Sequence, residues 1–284
     1  MEADIHTLYA SDFYRILDFR CRCTDCRTSK PELAENLCIS FVRKGNFLFN
    51  VFRRVLDSYN GSVLVTKPGY EHTVTHTHTV PDECTIFEFT PAFSNEIAQH
   101  WSSSPFFSNN DCHSTLVYTN AETEFLHFYI LQQVFRRTAT KLQIDQLVME
   151  IIEKILGAVA DYRPNPFISE RLKKHHLITI EKAKEYITGH FTQDISLAET
   201  ARCCHVSPFH FSRLFKAFTS LSPHQFLLGV RLKHAEMLLR DSALPVADIA
   251  YSSGFNSLEH FSAAFSKKYR HAPTAFRTQK SRIS

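Results

Sequence analysis

Cysteine and histidine residues that could bind a metal ion are concentrated in two short segments of the N-terminal half. Cys23 and Cys26 have two residues between them, which is the spacing of a zinc-binding pair. His76 and His78 would share one face of a strand, because side chains alternate along a strand. If the two segments meet, they predict a Cys2His2 zinc site or a metal- or redox-sensing site. The competing interpretation is that these residues are buried or exposed without any ligand, since each motif is short.

A second group of residues recurs in the C-terminal third at an offset of about 50 positions. Ile195–Ala201 (ISLAETA) is similar to Leu244–Ala250 (LPVADIA). The positions that follow are Ser207, Phe211, Phe215, Pro223 and Phe226 in the first copy and Ser257, Phe261, Phe265, Pro273 and Phe276 in the second. Phenylalanines four positions apart can hold one helix against a preceding short helix. This pattern predicts two helix-turn-helix units, whose second helices enter the DNA major groove.

Charge is distributed unevenly along the chain. The 284 residues carry a net charge of +3. Residues 170–284 contain 17 Lys and Arg against 9 Asp and Glu, a net charge of +8, whereas residues 1–169 contain 15 and 20, a net charge of −5. A basic segment of this kind favours nucleic-acid binding. The duplicated helical unit disfavours the alternative of an RNA-binding or structural interaction protein.

Two different patterns surround these residues. Short β-rich runs occupy about 36–95 and predict a small β-sandwich or barrel, with Phe47–Val55 as one strand and Asn60-Gly61 as a hairpin turn. Helical spacing of apolar residues predicts two antiparallel helices over about 123–160. Prolines then indicate a linker over 163–172, and the remainder is predicted to be helical. The candidate helix N-caps are Ser196, Ser207, Ser222 and Ser257.

The helical segment resembles the AraC/XylS family of transcription regulators over about 180–277. The matching residues are Ser207–Lys216 (SPFHFSRLFK), Val246–Phe255 (VADIAYSSGF), Phe261 with Phe265, and Ala272-Pro273 with Phe276-Arg277. The resemblance implies an α+β protein of two domains. Residues 1–162 would form a cupin-like sandwich or barrel with two helices, for ligand sensing or dimerisation. Residues 173–284 would form an all-α domain with two helix-turn-helix units joined by a linker helix, Pro223–Arg240.

The resemblance also implies which side chains contact DNA. The candidates are Ser207, Phe209, His210, Ser212, Arg213 and Lys216 in the first unit and Ser257, Leu258, Glu259, Ser262, Ala263 and Lys267 in the second. Arg213 would bind a guanine edge, and Phe209 would contact a thymine methyl group unless it is buried. Few side chains in the second unit can bind a base, so that unit would supply affinity and orientation. The phosphate candidates are Lys216, Lys267, Lys268, Arg270 and Arg277.

Enzyme chemistry is disfavoured by the motifs that the sequence lacks. There is no G-x-S-x-G, P-loop or dinucleotide-binding stretch. The run Gly61–His72 is similar to one cupin signature, but the paired-histidine signature has no match around Leu37–Arg53. A cupin metalloenzyme fused to a DNA-binding module is therefore the less favoured alternative.

The partners expected of such a regulator are double-stranded DNA, RNA polymerase, a small-molecule effector of unknown identity and a second copy in a homodimer. The family resemblance favours an activator. No signal peptide or apolar run long enough for a bilayer is visible, so we expect a cytoplasmic protein with no membrane contact. The eight cysteines would then be reduced.

Overall fold

A computed structural model describes residues 3–23, 28–77, 81–160 and 168–280. The chain divides into two compact units. The N-terminal unit comprises Met1–Thr123 and His127–Glu181, and the C-terminal unit comprises Glu124–Leu126 and Lys182–Ser284. None of the helices in the described ranges has the length and apolar character needed to cross a bilayer.

Two antiparallel sheets form the β part of the N-terminal unit. Their strands are β1 (Ala3–Ala10), β2 (Tyr14–Cys21), β3 (Glu32–Leu33), β4 (Cys38–Lys44), β5 (Asn46–Val51), β6 (Arg54–Tyr59), β7 (Ser62–Thr66), β8 (Glu71–His76), β9 (Glu83–Phe89) and β10 (Ser114–Tyr118). The six-stranded sheet has the order β1-β2-β9-β4-β7-β10, and the four-stranded sheet has the order β3-β8-β5-β6. Both sheets contribute side chains to one apolar core, including Phe47, Phe49, Leu64 and Val74. The predicted sandwich architecture is confirmed.

Strand boundaries and pairing differ from the sequence prediction in three places. Strands β1, β2, β3 and β10 lie outside the predicted β region of about 36–95. The run Phe47–Val55 is a β5–β6 hairpin rather than one strand, because the chain reverses at Phe52, whose φ is +54°. The turn at Asn60-Gly61 joins β6 of one sheet to β7 of the other, so it is not a hairpin turn. Local turn chemistry does not reveal which strands pair, since pairing depends on which faces are buried.

Four helices follow or interrupt the strands. They are α1 (Pro91–His100), α2 (Pro105–Ser108), α3 (Ala121–Arg136) and α4 (Lys141–Ala160). The last two match the helices that apolar spacing predicts over 123–160. The residue that ends α3, Arg137, has a φ of +53°. In α4 one face is buried, with Ile144, Val148, Ile151 and Ile155 spaced three or four residues apart.

Seven helices follow in the described C-terminal ranges. They are α5 (Glu170–Gly189), α6 (Leu197–Cys203), α7 (Pro208–Thr219), α8 (Pro223–Asp241), α9 (Val246–Ser252), α10 (Leu258–Tyr269) and α11 (Pro273–Lys280). All four predicted N-caps are confirmed, because each serine hydroxyl accepts a backbone N–H of the first turn. Helix α5 begins at Glu170 and so includes 170–172, which the sequence interpretation placed in the linker. Residues 163–167 of that linker lie outside the described ranges.

Candidate nucleic-acid interface

The two helix-turn-helix units close their turns in the same way. In the first unit, the N–H of Val206 donates to the carbonyl of Ala201 at 3.1 Å. In the second unit, the N–H of Phe255 donates to the carbonyl of Ala250, also at 3.1 Å. Both alanines are fully buried, so the short helix of each unit can approach the second helix closely. The two copies that the sequence repeat predicts therefore have the same local geometry.

Three phenylalanine rings hold each unit together. The rings are Phe211, Phe215 and Phe226 in the first unit and Phe261, Phe265 and Phe276 in the second. The first and second rings of each set have centroids 5.6 and 5.5 Å apart. The second and third rings meet edge to face at 5.5 and 5.4 Å. Because these rings cover the inner faces of α7 and α10, the opposite faces are left for solvent or a ligand.

The outer face of α7 carries the first set of candidate DNA-contacting side chains. Phe209 is 74% exposed, so the alternative that it is a core residue is wrong. The guanidinium carbon of Arg213 lies 5.8 Å from the centroid of the Phe209 ring. His210 and Lys216 are also exposed, whereas Ser212 is half-buried. An exposed aromatic ring with a cation stacked on it suits an apolar contact beside a base edge.

A serine is the N-cap of the second helix in each helix-turn-helix unit, α7 and α10. The hydroxyl of Ser207 accepts the N–H of His210 at 3.4 Å, and the hydroxyl of Ser257 accepts the N–H of His260 at 3.1 Å. Both hydroxyls therefore already have one backbone partner. A serine hydroxyl can still accept or donate one further hydrogen bond, for example to a phosphate.

The outer face of α10 differs from that of α7 in chemistry. Glu259, Ala263 and Lys267 are exposed, whereas Leu258 and Ser262 are half-buried. Leu258 packs against the core of the second unit. Of these five side chains, Glu259 is the one that is exposed and can accept a hydrogen bond from a base.

The candidate phosphate ligands fall into two groups. Lys216, Lys267 and Arg270 are exposed. Lys268 is half-buried, and its ammonium lies 5.4 Å from the ring centroid of the neighbouring Tyr269. Arg277 donates to the carbonyl of Leu244 at 2.6 Å, so this side chain has a bond within the unit.

A contact that sequence reasoning missed connects the linker helix α8 to the segment between α5 and α6. Arg231 on α8 donates to the carbonyls of Phe191 and Gln193, both at 2.8 Å. Burial lowers the pKa of this guanidinium. Gly254, with a φ of +83°, packs on the same site, because a Cβ there would lie 2.6 Å from the Phe191 carbonyl oxygen. Gly254 belongs to the segment Val246–Phe255 that the family resemblance matched, but nothing in the residue spacing indicated that Arg231 would lie beside it.

Part of the predicted Cys/His cluster comes together in the N-terminal unit. Cys21, Cys23 and His76 each offer one ligand atom, and these atoms all lie within 4.8 Å of one another. Burial raises the pKa of the Cys21 thiol to about 11. The other two candidates, Cys26 and His78, lie outside the described residues. Sequence reasoning did not select Cys21, although its separation from Cys23 by one residue was a visible signal.

A cavity of about 400 Å³ lies among side chains from both sheets of the N-terminal unit. Its apolar lining includes Phe47, Phe49 and Leu64, and its polar lining includes His72 and Glu88. His72 stacks on Phe49 with ring centroids 4.6 Å apart, and burial lowers the pKa of this imidazole. The volume and the mixed lining suit a small organic ligand.

The comparison with protein families matches the C-terminal unit. A family model described as a helix-turn-helix domain matches residues 200–279. The probable transcriptional regulator LumQ of Photobacterium leiognathi is 28% identical over 46% of this chain and 52% of its own length. The regulatory protein PocR of Salmonella typhimurium is 28% identical over 56% of this chain and 55% of its own length. The chain thus spans about half the length of these two relatives.

A solved structure is also similar in sequence. The C-terminal domain of the response regulator AraT from Geobacillus stearothermophilus is 32% identical over 36% of this chain and 84% of that domain, with a TM-score of 0.35. The matched region contains both helix-turn-helix units with their paired phenylalanines. The C-terminal unit contains an AraC-type helix-turn-helix domain, as its resemblance to the AraC/XylS family of transcription regulators predicts.

Proposed function

We propose that this protein binds a specific double-stranded DNA sequence through α7 and α10 and thereby regulates transcription. The observation that carries the proposal is the opposite character of the two faces of α7. Phe211 and Phe215 are fully buried on the inner face, whereas Phe209 and Arg213 are exposed on the outer face. An exposed aromatic ring at this position contributes little to folding, so a role in binding accounts for it better.

The two recognition helices would play different roles. In α7, Arg213 binds a guanine edge, Phe209 contacts a thymine methyl group, and Lys216 binds a phosphate. In α10, Glu259 accepts a hydrogen bond from a cytosine amino group, and Lys267 binds a phosphate. The first helix would therefore provide most of the sequence selection, and the second would provide affinity and orientation. Two successive major grooves would be contacted, about 34 Å apart along the duplex.

The test is binding of the full-length protein to DNA fragments from upstream of its own and adjacent genes. We expect a discrete shifted complex, a footprint covering two adjacent major grooves, and an affinity that falls steeply with salt concentration because phosphate contacts release counterions. Equal affinity for these fragments and for unrelated DNA of the same length would contradict sequence-specific binding. A flat salt response would contradict the phosphate contacts.

A ligand-sensing role for the N-terminal unit is a second proposal, and the cavity favours it. A molecule with an apolar body would contact Phe47 and Phe49, and a polar group on it would face His72 or Glu88. Native mass spectrometry of freshly purified protein would detect a co-purified small molecule. The substitution Leu64→Trp, which fills the cavity, should abolish that mass difference. Retention of the bound mass in a folded Leu64→Trp protein would exclude this cavity as the binding site.

Dimerisation and activation complete the proposed mechanism. Phe135 at the end of α3 is 61% exposed and Leu142 at the beginning of α4 is 77% exposed, which leaves an apolar surface available to a second copy. Light scattering of the full chain should give a dimer mass, and Leu142→Lys should shift it toward a monomer. A promoter-reporter assay with RNA polymerase should show more transcript in the presence of the protein, and less transcript would indicate repression.

A further inference from the structure

We infer that Cys21, Cys23 and His76 form a binding site for a zinc-class divalent ion that links the two β-sheets. The three ligand atoms lie within 4.8 Å of one another. Cys21 is the last residue of β2, and His76 is the last residue of β8. The two residues are 55 positions apart in sequence. Cys21 and His76 therefore come together because the two sheets pack on each other and not because they are neighbours in sequence.

The separations are close to those that a bound ion requires. The sulfur of Cys21 is 3.9 Å from Nδ1 and 4.0 Å from Nε2 of His76. A tetrahedral zinc ion lies about 2.3 Å from sulfur and about 2.0–2.1 Å from nitrogen, which places those two ligand atoms about 3.6 Å apart. The Cys21 sulfur is therefore a few tenths of an ångström too far from Nε2, and because it lies equally near Nδ1, the imidazole must also turn to direct Nε2 at a shared ion. The half-buried Cys23 can approach from the segment that follows β2.

Asp82 orients the histidine in the way that metal-binding histidines are usually oriented. Its carboxylate oxygen lies 2.9 Å from Nδ1 of His76, and both side chains are only 2% exposed. A bond at Nδ1 leaves Nε2 as the metal-binding nitrogen and fixes the imidazole tautomer. The carbonyl of Asp82 also accepts the N–H of Cys21 at 2.9 Å. A single residue thus positions two of the three proposed ligands.

Room for Asp82 is provided by a glycine. Gly45 has a φ of +77°, and a Cβ at this position would lie 3.1 Å from the Cα of Asp82 and closer still to its carboxylate.

The backbone N–H of Cys23 donates to the sulfur of Cys21 at 3.3 Å. This contact directs a backbone N–H at the sulfur, which binds a metal as the thiolate.

The donor set defines the class of ion. Two thiolates and one imidazole suit Zn²⁺ and similar borderline-soft ions, whereas Mg²⁺ and Ca²⁺ require oxygen ligands. Binding would release the two thiol protons and leave one coordination position for a further ligand. The ion would join β2 of the six-stranded sheet to β8 of the four-stranded sheet. His76 and Asp82 also line the cavity, so occupancy of the ion site would affect the cavity wall.

The test uses full-length protein that has been treated with a chelator and then exposed to Zn²⁺ or Co²⁺. We expect one tightly bound ion per chain by elemental analysis after gel filtration, thiolate-to-cobalt charge-transfer absorption, and a higher unfolding temperature with Zn²⁺. X-ray absorption of the zinc-loaded wild-type protein should show at least two sulfur ligands and one nitrogen ligand. Absence of a retained ion, or a first shell of oxygen and nitrogen alone, would overturn the proposal.

Variants then assign the ligands. Cys23→Ser and His76→Ala should lose the charge-transfer band, and Asp82→Asn should weaken zinc binding by about 10–100-fold while keeping the sulfur ligands. Cys203→Ser removes an exposed cysteine of the C-terminal unit and is the matched control. Full zinc affinity in a folded Cys23→Ser protein would exclude this cluster. Because α7 and α10 contain none of the three proposed ligands, failure of this proposal would leave the operator-binding test unaffected.

Discussion

The guanidinium carbon of Arg213 lies 5.8 Å from the centroid of the Phe209 ring, one helical turn away on the outer face of α7. The contact holds two candidate base-contacting side chains in one arrangement before DNA is bound. Holding them in this way reduces the conformational entropy that is lost when the complex forms. Arg213 and Phe209 should therefore act together in DNA recognition.

Replacement of Arg213 by alanine should weaken binding to the preferred operator by about 1–3 kcal/mol and reduce discrimination at one base pair, because a bidentate guanine contact is lost. Fluorescence anisotropy with the operator and with single-base variants would measure both effects. Arg53→Ala removes an exposed arginine of the N-terminal unit and serves as the control. An unchanged affinity and base preference would remove Arg213 from the interface.

Phe209 and Phe211 should respond in opposite ways to alanine substitution. Phe209 is 74% exposed, so its loss should leave the free energy of unfolding nearly unchanged and weaken DNA binding by roughly 1 kcal/mol. Phe211 is fully buried, so its loss should destabilise the C-terminal unit by about 3–5 kcal/mol. Denaturant unfolding and DNA titration of each variant would test the pair. Strong destabilisation by Phe209→Ala would indicate a structural role for that ring.

Gly254→Ala should destabilise the second helix-turn-helix unit. The new Cβ would lie 2.6 Å from the Phe191 carbonyl oxygen and 2.9 Å from Nε of Arg231, and the backbone would be strained at a φ of +83°. Gly69→Ala is the matched control, since Gly69 has a φ of +90° but no atom within 4 Å of the added Cβ. The difference between the two losses of unfolding free energy measures the steric part alone. Equal losses would mean that close packing at Gly254 is unimportant.

Acid should destabilise the C-terminal unit through His234. Burial lowers the pKa of this imidazole to about 4, below the value of about 6.5 expected in the unfolded chain. Between these two pH values the unfolded state binds more protons, so the free energy of unfolding should fall as pH falls, by up to about 1.4 kcal/mol per pH unit. Below pH 4 both states are protonated and the contribution no longer changes.

The measurement for His234 is denaturant unfolding of the full chain at several pH values between 7.5 and 4. His234→Gln keeps a polar group near the hydroxyl of Ser253, which lies 2.9 Å from Nδ1 in the native protein. This variant should show a smaller loss of stability on acidification. His260→Gln, which removes an exposed histidine of the same unit, should keep the wild-type slope. Identical slopes in all three proteins would exclude His234 as the source.

Local residue spacing was enough to predict the helices and the ring packing of the two helix-turn-helix units. The serine N-caps, the helix-initiating prolines and the phenylalanine pairs at i and i+4 act within one or two helical turns. A sequence repeat therefore specifies a structural repeat, and the two ring pairs agree in centroid distance to 0.1 Å. The β-sandwich was also predictable as a class, because short apolar runs and turns are local signals.

Tertiary structure alone decided which distant residues meet. The proximity of Cys21 to His76, the bond from Arg231 to the Phe191 carbonyl and the change of sheet at Asn60-Gly61 all depend on strand order and helix packing. The exposure of Phe209 was also decided by tertiary structure, because an aromatic residue at the beginning of a helix can lie on either the buried or the exposed face. Such contacts are set by which surfaces are buried together, and residue spacing does not encode that choice.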